Sequence, residues 1–154
     1  MIIYNTTIDQ VGCSERVNRI FSRSIKKESK MWALKKILSM LDLTTLEGND
    51  SPGKVKQLCY KAAHLHDKHP GLPKVAAICV YPNMVSIAQE SLKGTNIKTA
   101  SVATGFPSGM TNLRAKLDEV EYVVNEGAEE VDMVISRGHF LSGELNYVSD
   151  EIAK

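Results

Sequence analysis

Four short runs dominated by apolar and β-branched residues recur along the chain: LSMLDLT (38–44), KVAAICV (74–80), IKTASVAT (97–104) and EVDMVIS (130–136). Nearly continuous apolar runs of this length are typical of strands buried on both faces, as in parallel sheets. Between them the period changes to that of helices. Ser51-Pro52-Gly53 supplies an N-cap and a proline at the first helical position, ahead of Val55, Leu58, Cys59, Ala62 and Leu65 at helical spacing. Asn83 is placed to cap a shorter helix carrying Val85, Ala88 and Leu92, closed by Gly94. Thr111 is placed to cap a third, carrying Leu113, Leu117, Val120 and Val124 and closed by Gly127. Residues 139–154 read as the start of a fourth helix. The alternation predicts an α/β fold with parallel strands and helical crossovers.

Two architectures suit four βα units: a small doubly wound sheet and part of an eight-stranded (β/α)8 barrel. The first strand runs into Thr44-Thr45-Leu46-Glu47-Gly48, without GxGxxG or GxxxxGK[ST], which argues against a dinucleotide or P-loop site. In both architectures ligands meet the carboxyl ends of the strands. The residues of interest are therefore Asp42, Thr44, Cys79, Tyr81, Thr104 and Asp132.

The net charge of +1 provides no field that would draw the molecule to nucleic acid, and apolar runs of about seven residues fall far short of a membrane span. Charge is nevertheless uneven. Residues 14–36 hold eight basic and two acidic side chains, against eleven and sixteen elsewhere. Residues 1–37 thus form a basic arm ahead of an acidic body at 38–154. Within the arm, Ser14 is placed to cap an amphipathic helix carrying Val17, Ile20, Phe21 and Ile25, which suits either an anionic surface or one end of a domain. Cys13, Cys59 and Cys79 form no CxxC pair and leave one over in any disulfide scheme, and no secretory leader is evident; the expectation is a reducing, cytoplasmic setting. Asp9, Glu15 and Glu28 argue against a mitochondrial transit segment, and without a leader the Asn5-Thr6-Thr7 sequon carries no weight.

Asp132 is the most informative residue. A carboxylate inside VDMVI is expected to be buried and paired or protonated, on the face opposite Val131 and Met133. It reads either as a site residue or as a satisfied core ion pair. Asp42 repeats the pattern, or else organises the turn at Thr44-Thr45. Cys79 reads as a small core hydrophobe with no neighbour that would activate a thiol. His64, His66 and His69 lie at a helix end and loop, with His64 and His66 on different faces, a poor arrangement for a metal. The loop 106–109, with Gly105 and Gly109, is either a ligand-approach loop or a plain tight turn.

LDLTTL (41–46), KVxxLCxxA (54–62), VAAICVYP (75–82), ASVATGFPSG (100–109) and EGAEEVDMVI (126–135) appear collinearly and resemble deoxyribose-phosphate aldolase over roughly residues 32–154. The resemblance, of a eukaryotic type that extends more loosely into the basic arm, implies a TIM barrel of which this chain carries about the first four βα units. It implies a class I lyase of deoxyribonucleoside catabolism that cleaves 2-deoxy-D-ribose 5-phosphate to D-glyceraldehyde 3-phosphate and acetaldehyde through a lysine Schiff base, with no metal or other cofactor. It further implies that Asp132 relays protons as donor and acceptor, that Asp42 supports it, and that Cys79 and Thr44 line the substrate cavity. The family's reactive lysine and its partner lie on later strands with no counterpart here. Lys74 and Lys98 stand at the starting ends of their strands, and residues 38–154 supply 117 residues where a barrel takes at least about 200. The expected partner is a phosphosugar, with a homo-oligomer or a complementary half-barrel also in view; the competing reading is an inactive half-barrel that serves as a binding or regulatory partner.

Overall fold

A computed structural model describes residues 7–154; the sequon at Asn5 and the first six residues of the basic arm lie outside the described residues. Helices α1 (Gln10–Phe21) and α2 (Lys27–Leu38) come first. Four strands follow, β1 (Asp42–Thr44), β2 (Ala77–Val80), β3 (Lys98–Ala103) and β4 (Glu130–Met133). The sheet is parallel throughout, as the alternating pattern predicts, and its order is sequential, β1-β2-β3-β4. Helix α3 (Pro52–His64) links β1 to β2, a 3-10 turn at Pro82–Met84 and α4 (Val85–Ser91) link β2 to β3, and α5 (Leu113–Asn125) links β3 to β4. Helices α6 (Arg137–Leu141) and α7 (Leu145–Ala153) close the described chain.

The main core lies between one face of the sheet and the helices. Ile78, Val80 and Ala103 from the strands meet Val55 and Cys59 of α3, Val85 and Ala88 of α4, and Val123 of α5. The opposite face carries a smaller cluster, Ala77, Cys79, Ala100 and Val102, edged by Leu46, Tyr81 and Phe106. No helix among the described residues contributes to this second cluster, yet its four small side chains are at most 4% exposed.

Several boundaries differ from the sequence expectation. The first apolar run begins inside α2, because Leu38 ends that helix and packs on the main core, leaving only Asp42–Thr44 to pair with β2. The arm helix starts at Gln10 with Asp9, not Ser14, as its cap: the Asp9 carboxylate accepts from the Gly12 amide at 2.9 Å, while Ser14 donates to the Gln10 carbonyl inside the helix. Neither α1 nor α2 buries a residue, and Ile25 lies between them. Asn83 sits within the 3-10 turn and makes no cap. Asn112, not Thr111, caps α5, accepting from the Ala115 amide at 2.9 Å. Val124 is exposed, and α5 turns Lys116 and Val123 inward instead. The predicted fourth helix is two helices, broken where Gly143 takes a φ of +81°.

Candidate active site

Side chains alternate across a strand, so Asp42 and Thr44 of β1, Cys79 of β2, and Glu130 and Asp132 of β4 share the inner face. Pairing levels Asp42 with Ala77 and Lys98, Thr44 with Cys79, Ala100 and Glu130, and Asp132 with Val102. Cys79 thus occupies, with Glu130, the inner-face rung between those of Asp42 and Asp132. Val131 packs with the helical layer, leaving Asp132 on the inner side as its strand position requires.

The expectation of a buried Asp132 is not met. Asp132 and Asp42 are exposed, because the inner face that a closed barrel would cover is open here. Partial burial pushes the Asp42 carboxyl above the ordinary carboxylate range, and the negative charges of Glu130 and Asp132 add to the effect. Burial likewise pushes the Cys79 thiol up to about 11, with Asp132 and Asp42 contributing. Cys79 is therefore a neutral thiol at physiological pH. Thr44 is exposed at the end of β1, and the Tyr81 ring meets Phe106 edge-on, their centroids 6.1 Å apart.

Lys98 reaches Glu130 at 2.6 Å, and this hydrogen-bonded pairing raises its pKa further. Its amine is held protonated at the starting end of the strands, the wrong state and place for a nucleophile. Sequence reasoning assigned Glu130 no part in this face, although its even spacing from Asp132 placed both on the same side. Among the described residues no group of three or more His, Cys, Asp or Glu could hold a metal ion; His64 instead reaches Asp67 at 2.9 Å.

At the carboxyl ends, Thr104 takes a left-handed φ of +65° and is buried. Its hydroxyl accepts from the Val134 amide at 2.6 Å and lies 2.8 Å from the Val134 carbonyl, joining the ends of β3 and β4. The following loop is held by Glu119, whose carboxylate accepts from the Gly105 amide at 2.8 Å. Gly109 approaches the same region so closely that a Cβ there would stand 2.6 Å from the Ile135 carbonyl oxygen.

The chain is 42% identical over 143 residues to human deoxyribose-phosphate aldolase, covering 84% of this chain and 44% of that protein. The mouse protein of the same name gives 41%, covering 86% and 45%. The chain belongs to the deoxyribose-phosphate aldolase family. It spans less than half the length of these two relatives. Among solved structures, a chain from Coccidioides immitis described as "a putative deoxyribose-phosphate aldolase" superposes with a TM-score of 0.67 at 27% identity, covering 77% of this chain and 43% of that one. A chain described as "QR15, an Aldolase" gives 0.64 at 25%, covering 75% and 47%. The four parallel units thus correspond to part of an aldolase (β/α)8 barrel. No protein-family model matches.

Proposed function

We propose that residues 38–154 are the acid–base half of a cytoplasmic aldolase barrel acting on 2-deoxy-D-ribose 5-phosphate, with residues 1–37 as a separate basic arm. The observation that carries this is the shared inner face of Asp42, Cys79 and Asp132 in a member of this family. In the reaction, a lysine amine condenses with the aldehyde carbonyl, expelling water. The resulting iminium accepts the electron pair released when the carbon–carbon bond breaks, giving glyceraldehyde 3-phosphate and an enamine that is protonated and hydrolysed to acetaldehyde. Asp132 moves protons through a bound water, Asp42 supports it electrostatically, and neutral Cys79 and Thr44 line the cavity.

The reactive lysine is not among the strand residues of this chain. Purified alone, it should not cleave deoxyribose 5-phosphate, and borohydride with acetaldehyde should leave no adduct; a stoichiometric reductive adduct at a single lysine would refute the reading. In a protein completed with the remaining units, Asp132→Asn should fold normally and turn over at least roughly a hundredfold more slowly. Full activity in that variant would return Asp132 to a structural role. The open inner face favours a second reading, a half-barrel whose role is to associate with a complementary half or to regulate the complete enzyme.

A further inference from the structure

Lys116 is 1% exposed, although it lies on a helix that faces water on its other side. Its ammonium donates to the Glu151 carboxylate at 2.7 Å and to the Ser136 hydroxyl at 2.9 Å, and stands 3.5 Å from the Val134 carbonyl. The other oxygen of Glu151 accepts from the Ser136 backbone amide at 2.9 Å. Both charged side chains are almost completely enclosed. Three elements, α5, the tail of β4 and α7, therefore converge on a single buried ion pair.

What the pair holds is the segment directly after Asp132. The β3–β4 ladder ends at Ala103 and Met133, and no described strand pairs with β4 on its other side. Beyond that point Val134 is held by Thr104 from one side, and Ser136 by Glu151 and Lys116 from the other. Gly109 packs against Ile135 between them. An edge strand with one partner keeps its register and side-chain directions only as well as its ends are anchored.

We propose that Lys116 and Glu151 are positioning residues for Asp132, acting from the helical side of the sheet through Ser136 and Val134. The inference rests on Asp132 as the proton-transferring group, but its test needs no turnover. On the 154-residue chain, NMR would follow amide exchange at Val134, whose N–H is given to Thr104 rather than to the ion pair, and the three-bond couplings that report the Asp132 side-chain rotamer.

Lys116→Leu/Glu151→Leu removes both charges together, so no unpaired ion is left buried, and such replacements are often neutral for stability. The expected result is a folded protein in which Val134 exchanges at least tenfold faster and the Asp132 couplings move toward rotamer averaging. Ser136→Ala, which deletes only the bridging hydroxyl, should accelerate Val134 exchange several-fold. The proposal fails if Val134 exchange stays within twofold of the parent and the Asp132 couplings are unchanged in both variants, whatever happens to thermal stability. If the double variant does not fold, Ser136→Ala decides by the same two measurements. A normal turnover in Asp132→Asn would sink the catalytic role of Asp132 while leaving these results untouched.

Discussion

At Asp42 the carboxyl titrates above its ordinary value because burial and the charges of Glu130 and Asp132 all disfavour ionisation. The folded state then holds a proton more tightly than the unfolded state, so stability falls as pH rises from the ordinary carboxylate range through the raised pKa. Asp42→Asn should therefore raise the melting temperature at pH 7 and lose that advantage below the unfolded value near 3.8. Scanning calorimetry at both pH values would check the sign. The cysteines follow a parallel logic. Burial lifts both Cys59 and Cys79 to about 11, so on the order of one thiol in ten thousand is ionised at pH 7, whereas Cys13 is exposed. Iodoacetamide should label Cys13 in the native protein, with Cys59 and Cys79 following only on unfolding, as mass spectrometry would show. The direction in which Asp132 points was legible in the sequence, since alternation on a strand is purely local. Its exposure was not, because that depends on whether other strands close over it.

Among the elements, the starts of the predicted helices lie within a few residues of those expected, whereas α2 and the separate α7 were not anticipated. Asn112 and Thr111 are both acceptable caps by residue type, and the backbone chose Asn112, whose side chain reaches the Ala115 amide. Asn112→Ala should cost about 1 kcal/mol and Thr111→Ala much less, read from urea denaturation midpoints. Equal losses would show that the cap does not operate. Strand lengths were overestimated for a related reason. An apolar run measures burial, while a strand is defined by its ladder, and Leu38 and Ile97 are apolar because they pack on the helical core rather than because they pair. Lys116 is the clearest omission. It stands three residues after Leu113 and four before Val120, inside the apolar stripe of α5, and a lysine at such a position signals a buried partner. That partner, Glu151, lies 35 residues on, and no local pattern names it.

In the whole molecule, β1 and β4 are the outer strands of the described sheet, each paired on one side only. A closed barrel has no edges, whereas the sheet of the described residues presents two. The apolar side chains of the inner face add little to this, since Ala77, Cys79, Ala100 and Val102 are at most 4% exposed. The exposed apolar side chains include Ile20 and Phe21 of α1 and Trp32 and Ile37 of α2, where several hundred Å2 covered by a partner would gain on the order of 10 kcal/mol at roughly 25 cal/mol per Å2. The chain should self-associate, bind a complementary half, or unfold without a sharp transition. Sedimentation and thermal unfolding measured together would test this, and a monodisperse monomer with a cooperative transition would count against it.

The alternation of the four strands with helices, their parallel sense and the family all follow from patterns within single segments and from short motifs in sequence order. These survive without knowledge of any distant contact. Which face of the sheet the helices cover, how burial and the charges of Glu130 and Asp132 raise the cost of ionising Asp42, and how Lys116 meets Glu151 depend on residues far apart in the chain. Their free energies arise from the exclusion of water and from charge separations that exist only once the layers have assembled.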